Sequence, residues 1–266
     1  MQEDGKLRAC WLGNDGWLFA HGGRLIAMDL DFFLKERKLP PVDGLRDIAA
    51  RLDFLFITHA HTDHCNPQTI GQLMRLGSCR VVLARSCRAA LRSRGLQLDR
   101  LTFVEPGTAP LDATNNPLPM DSVGENVPGL PGWLRAETIR ALHGHINGAV
   151  YAGAHRWDCG FLLHFGGKRI CQPGDSVLLQ EHLELRDMDV LLVSPTEHNM
   201  GVTAARDWIE TVRPAYAIAQ HFGTYCEDAG NRFWTHGYQR ELRDALGVRM
   251  RQRYHIPEYA VPICIE

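Results

Sequence analysis

Between positions 59 and 64 the chain reads His-Ala-His-Thr-Asp-His, so His59, His61, Asp63 and His64 fall within six consecutive residues. Imidazole nitrogen and carboxylate oxygen are ligands for zinc and similar borderline cations. A solvated loop readily explains one histidine, but not three histidines and an acid at this density. The 8 cysteines form no C-x-x-C pair. The spacing therefore points to an open nitrogen–oxygen metal site, the kind that leaves room for water, and not to a closed structural zinc site.

Such a cluster acts only if the backbone aims it. The run Phe54–Ile57 is short, continuous and apolar, as in a strand buried on both faces, and it ends directly in the histidine segment. A helix is predicted from Pro67, carrying Ile70, Leu73 and Met74 on one face. Upstream, residues 7–12, 17–20 and 24–30 read as strands separated by glycine turns, followed by a helix with Leu45, Ile48, Ala49 and Leu52 at helical spacing. Downstream, strands are predicted at 81–84, 190–193 and 215–219 and a hairpin at 161–165 and 169–171. Helices are predicted at 85–94, across Ala204, Trp208, Ile209 and Val212, and from Trp234 to Leu246, with Gly247 as a C-terminal cap. The stretch 106–131, rich in Pro, Gly, Asn and Asp, reads as a long irregular loop. Strands mixed with helices, without a linker or repeat, imply a single α/β layered domain over 1–266.

Composition narrows the function classes. Of 266 residues, 45% are apolar and 23% charged, and the net charge is -2, so a broad nucleic-acid or membrane-surface footprint is not expected. No apolar run is long enough for a membrane span, and the N-terminus lacks the pattern of a leader. The scattered cysteines read as reduced thiols, which suits the cytoplasm. The expected partner is a small-molecule substrate, with a homo-oligomer open.

The Thr-His-Ala-His-Thr-Asp-His segment resembles the signature of the metallo-β-lactamase superfamily. The resemblance continues in order along the chain. Gln172-Pro173-Gly174-Asp175-Ser176 is similar to the superfamily's Gly-Asp-Ser/Thr strand ending, and a strand into His221-Phe222-Gly223 is similar to its last ligand segment. It implies a four-layer αββα sandwich holding two divalent cations, zinc or manganese, with iron possible. One cation would be held by His59, His61 and His143, the other by Asp63, His64 and His221, with Asp175 between them. His145 is the alternative to His143. Within the superfamily the chain resembles most the L-ascorbate-6-phosphate lactonase-like group. It departs from that pattern at Asn14, where relatives carry histidine, at Asp29-Leu30-Asp31, where the resemblance leads one to expect Asp-Pro after the third strand, and at Cys65, where it leads one to expect an aliphatic residue.

The implied chemistry is attack by a metal-bridged hydroxide on a lactone, ester or phosphodiester, with Asp63 and Asp175 orienting it and handling the proton. Candidate substrate contacts are Arg156, Trp157, Tyr225, His145 and His198. Rival readings are an iron-dependent oxidoreductase on the same fold, a nucleic-acid phosphodiesterase, and a metal-binding protein without turnover.

Overall fold

The computed structural model describes residues 5–33, 44–98, 100–106, 125–145, 149–151, 155–222 and 237–266. Three short strands, β1 (Leu7–Trp11), β2 (Trp17–His21) and β3 (Arg24–Met28), form an antiparallel meander over glycine turns. The chain then changes to parallel crossovers. Helix α1 (Leu45–Arg51) leads to β4 (Phe54–Ile57), α2 (Pro67–Leu76) to β5 (Arg80–Ala84), and α3 (Cys87–Ser93) to β6 (Leu101–Val104). A parallel pair requires a crossover of this length, so each helix is returned to one face of the sheet.

The second half repeats the plan. Strands β7 (Glu125–Asn126), β8 (Leu134–Arg140), β9 (Cys159–Phe165) and β10 (Lys168–Gln172) are antiparallel neighbours. Then β11 (Val190–Val193), β12 (Tyr216–Ala219) and β13 (Tyr254–His255) add in parallel, with α4 (Gly201–Val212), α5 (Gly237–Ala245) and α6 (Val248–Arg251) between them. Strand β14 (Pro262–Ile265) returns to pair with β1. The result is two seven-stranded sheets, ordered β14-β1-β2-β3-β4-β5-β6 and β13-β12-β11-β10-β9-β8-β7.

The sheets face one another. Phe56 on β4 meets Phe161 on β9 with ring centres 5.2 Å apart, and Trp133 sits 5.8 Å from both Phe54 and Phe165. Every residue of β4 and β11 is buried, so both faces of each are covered. Apolar stripes on the helices supply the outer cover: Ile70 and Leu73 from α2, and Ala205, Trp208, Ile209 and Val212 from α4. Burying each large apolar side chain contributes roughly 1.5–3 kcal/mol. This is the αββα sandwich that the resemblance implies.

The elements near the histidine segment match the sequence reading closely, but the edges do not. Gly247 does not cap α5 in a left-handed turn; it is extended, at φ -61° and ψ 156°, and begins α6 instead. Strands β6, β7, β13 and β14 have no clear apolar alternation, being two to four residues long and partly exposed. Tyr225, Cys226, Trp234 and most of the loop expected at 106–131 lie outside the described residues. No disulfide occurs among the described cysteines; Cys65, Cys79, Cys87, Cys159 and Cys171 are buried thiols. No described helix is long and apolar enough to cross a membrane.

Candidate metal centre

The chemistry-bearing side chains sit where strands β3, β4, β10 and β12 give way to loops. The segment after β4 is fixed at both ends. Thr58 donates to Asp29 from its backbone N–H and from its hydroxyl, each at 2.8 Å. The N–H groups of His64 and Cys65 both donate to the His61 carbonyl, at 3.1 and 2.7 Å, which closes a tight turn. Asn66 then caps α2 by accepting from Gln68 N–H at 2.9 Å. Asp31, the second acid of Asp29-Leu30-Asp31, accepts from the Thr69 hydroxyl at 2.8 Å and ties this loop to α2.

Asp175 is delivered by a bend at Gly174, whose φ is +64°. A Cβ there would meet Thr58 Cβ at 2.9 Å, so the two loops touch backbone to side chain. Ser176 Oγ accepts from Leu142 N–H at 3.0 Å, which sets His143 beside Asp175. His221 adopts a left-handed backbone, φ 61°, and its N–H donates to the Asn14 carbonyl at 3.1 Å. Asn14 and Asp29 are also left-handed, at φ 48° and 42°. Such positions cluster where function fixes side-chain direction.

Two donor groups result. His59, His61, His143 and Asp175 offer ligand atoms within 4.8 Å of one another, and so do Asp15, His64, Asp175 and His221. Asp175 belongs to both. Its Oδ2 lies 2.9 Å from His221 Nε2, 3.4 Å from His143 Nε2 and 4.0 Å from His59 Nε2, while its Oδ1 is 3.5 Å from His64 Nε2. Asp63 stands beside the second group, its Oδ2 3.6 Å from His64 Nε2 and 4.0 Å from His221 Nε2. Of the two candidates in the middle segment, His143 faces Asp175, and exposed His145 belongs to neither group.

Asp15 has no place in the ligand set implied by the sequence. Its signal is the Gly13-Asn14-Asp15-Gly16 turn, an acid held between glycines at a strand end. Asp29 was also missed as a partner of the cluster; its Oδ2 lies 3.1 Å from His64 Nδ1.

The electrostatics are those of buried groups whose charges oppose one another. Both oxygens of Asp15, Oδ1 of Asp175 and Nε2 of His59 and of His64 are buried without a hydrogen-bond partner. Burying such groups is costly unless something pairs with them. Burial, then the charge of Asp175, pushes Asp15 well above the usual carboxylate range. Burial also raises Asp175, but His221 and His64 overcome it and hold its carboxyl well below that range. Burial and the neighbouring His64 hold His59 well below the ordinary imidazole value. Burial lowers His64 too, but Asp175, Asp63 and Asp29 prevail and hold it well above. Divalent cations fit this donor set, with three imidazoles and one carboxylate at one end and two of each at the other.

A profile described as a β-lactamase superfamily domain matches residues 8–221. The chain belongs to the metallo-β-lactamase superfamily. Among relatives in the superfamily, it is 29% identical over 209 residues to a UPF0173 metal-dependent hydrolase of Thermofilum pendens, 77% of each chain. A UPF0173 protein of Pyrococcus furiosus is 24% identical over 223 residues, 83% of this chain and 86% of the relative. The same fold occurs in Igni18, a metallo hydrolase of Ignicoccus hospitalis, at TM-score 0.67 and 17% identity over 98% of this chain and 99% of that one. It also occurs in CmlA, a diiron β-hydroxylase of Streptomyces venezuelae, at TM-score 0.67 and 14% identity over 99% of this chain and 54% of CmlA. The Thermofilum relative bears the description metal-dependent hydrolase, which is coarser than the lactonase-like group.

In this member of the superfamily His61, His143, Asp175 and His221 of the donor groups line an open pocket of ≈ 310 Å³, together with Asp63, His145, Tyr151 and His198. His198 Nε2 is 4.0 Å from Asp175 Oδ2, and burial, then His221, pulls its pKa down to about 3. Tyr151 stands over His143, ring centres 5.4 Å apart. Trp157 does not line this pocket. It lines a separate cleft with Arg85, Ser86, Arg88, Arg92 and His155, and Arg156 stacks on its ring at 4.9 Å.

Proposed function

We propose that this metal-dependent hydrolase cleaves a lactone, ester or phosphodiester bond in a small anionic molecule. The observation that carries the reading is the pair of four-residue donor groups sharing one buried carboxylate at the floor of an open pocket. When bound there, divalent cations supply Lewis acidity and make water acidic enough to attack near neutral pH.

The chain's own residues do the rest. His59, His61 and His143 would hold one cation, and His64 and His221 the other, with Asp175 facing both. Asp63, partly exposed and lining the pocket, is placed to accept and return a proton. Uncharged His198 and the phenol of Tyr151 line the pocket as hydrogen-bonding groups for the substrate's polar atoms. The arginine cleft with Trp157 supports an anionic substrate, because guanidinium groups pair well with phosphate and carboxylate. The resemblance to the lactonase-like group supports the lactone branch of the reading.

The test is elemental analysis of protein purified without added metal, then lactone, ester and phosphodiester panels with that metal restored. Turnover that disappears in His61→Ala and Asp175→Asn supports the reading; turnover unchanged in both overturns it. A diiron oxidation is the second reading, favoured by the additional acid Asp15 at the cluster and by the likeness to CmlA. Iron content with substrate-dependent oxygen uptake would select it.

A further inference from the structure

We infer that Asp15 takes over the coordination role that the superfamily pattern gives to Asp63, and that Asn14 holds Asp63 off the second cation. The inference rests on the cation-binding reading above but on no particular substrate.

The two acids have opposite surroundings. Asp15 is fully buried, at 0% exposure, and neither of its oxygens has a hydrogen-bond partner. Its Oδ2 is 3.8 Å from His64 Nε2, and the nearby Asp175 adds a like charge. A divalent cation there would offset both carboxylates and pair with the oxygens that lack a hydrogen-bond donor. Asp63 is already served. Its Oδ2, the oxygen that faces His64 and His221, accepts a hydrogen bond from Asn14 Nδ2 at 3.0 Å, and its side chain is 14% exposed to water.

The turn that carries Asp15 is built to keep its direction. Leu12 N–H donates to the Gly16 carbonyl and Gly16 N–H to the Gly13 carbonyl, both at 2.8 Å. The Asn14 carbonyl accepts from Trp11 Nε1 at 2.7 Å and from His221 N–H at 3.1 Å. A Cβ at position 16 would meet the Gly13 carbonyl at 2.9 Å, so the turn requires glycine. The two neighbours in this turn thus work together: Asn14 occupies Asp63, and Asp15 supplies a carboxylate in its place. The second cation would be a divalent ion of borderline to hard character, held by two carboxylates and two imidazoles.

Metal stoichiometry decides this without any assay of turnover. Wild type, Asp15→Asn and Asp63→Asn are loaded with manganese or with zinc, dialysed against metal-free buffer and analysed by mass spectrometry, with circular dichroism as the check on folding. Wild type is expected to keep two equivalents, Asp15→Asn one, and Asp63→Asn two. Isothermal titration should show the second affinity in Asp15→Asn at least tenfold weaker. Loss of an equivalent in Asp63→Asn, or two equivalents retained in Asp15→Asn, overturns the exchange of roles. Should Asp15→Asn fail to fold, Asp63→Asn alone decides between two equivalents and one. If wild type binds neither metal, the cation-binding reading falls and this inference with it. That result is distinct from a wild type that binds two equivalents but loses one in the wrong variant.

Discussion

Asp29 Oδ2 stands 3.1 Å from His64 Nδ1, on the side of the imidazole opposite the donor group. The same carboxylate receives both the N–H and the hydroxyl of Thr58, so a single acid at the end of β3 sets the histidine segment after β4. A carboxylate behind a ligating imidazole fixes its tautomer and ring orientation and raises its basicity. Asp29→Asn keeps the shape but weakens that pull. The expected result is cation affinity lower by about 10–100-fold, read by competition with a chromophoric chelator. An unchanged affinity would mean that Asp29 only braces the loop.

Gly174→Ala tests the bend that delivers Asp175. The backbone is left-handed there, φ +64°, and the added methyl would press on Thr58 Cβ at 2.9 Å. A left-handed non-glycine residue costs roughly 1–2 kcal/mol, and the clash adds to it. The metal-free protein should unfold at a lower temperature, and both cations should bind more weakly because both groups share Asp175. Lowered thermal stability with intact metal affinity would show that Asp175 is positioned by something other than this bend.

Uptake of the second cation should tighten as pH rises through neutrality. His64 is held well above the ordinary imidazole value in the metal-free protein, despite burial, by Asp175, Asp63 and Asp29. It therefore carries a proton at neutral pH, and a cation must displace that proton to reach Nε2. Raising the pH removes the competing proton, so affinity increases. His59 and His61 are shifted the other way, by burial first, and are already neutral. Calorimetry in buffers of differing ionisation enthalpy should register net proton release on binding. Binding without proton release, at an affinity flat from pH 6 to 8, would contradict the assignment.

The parts of this molecule visible in its sequence are those in which short-range chemistry dominates. Phe54–Ile57 is buried on every residue, and its apolar run has the same limits as the strand. The histidine segment and Gly174-Asp175 are contiguous motifs, so order along the chain was enough to find them. Asp15 was noticed only as part of a departure, because an Asn-Asp turn between glycines looks like any hairpin connection until tertiary packing sets it against His64. Proximity in sequence to His143 suggests Arg156 and Trp157 as substrate contacts, and Trp157 lines the arginine cleft and not the pocket over the donor groups. Strand β14 exists because β1 offers it an edge, and no local pattern encodes that partner.

A buried amide network behind the cluster gives a stability prediction. Trp17 Nε1 donates to Gln220 Oε1 at 3.1 Å, and Gln220 Nε2 donates to Ser194 Oγ at 3.2 Å and to Gln172 Oε1. These side chains come from or adjoin β2, β10, β11 and β12, and Gln220 immediately precedes His221. Gln220→Leu fills similar volume but leaves Trp17 Nε1 without its acceptor. Each orphaned buried group costs about 1–3 kcal/mol, so chemical denaturation should show a loss of that order. A loss below about 0.5 kcal/mol, the range of ordinary surface changes, would mean that water replaces the glutamine.

The arginine cleft predicts which substrates are preferred. Arg85 is engaged, paired with Glu105 and stacked on Trp157 at 4.3 Å, so its charge is largely offset. Arg88 and Arg92 line the same cleft from the exposed side of α3. Ser86 Oγ is buried against it without a hydrogen-bond partner. The cleft follows β5, which pairs in parallel with β4 and so ends on the same edge of the sheet as the histidine segment. Reversing two charges there should act on binding of anions and leave bond cleavage alone. The double variant Arg88→Glu/Arg92→Glu is therefore expected to raise KM for bis(p-nitrophenyl) phosphate by about tenfold, corresponding to about 1.4 kcal/mol, with kcat little changed. The neutral ester p-nitrophenyl acetate should be unaffected, and the difference between the two should shrink as salt is added. Equal effects on both substrates would show that the cleft supports the fold and does not select the substrate.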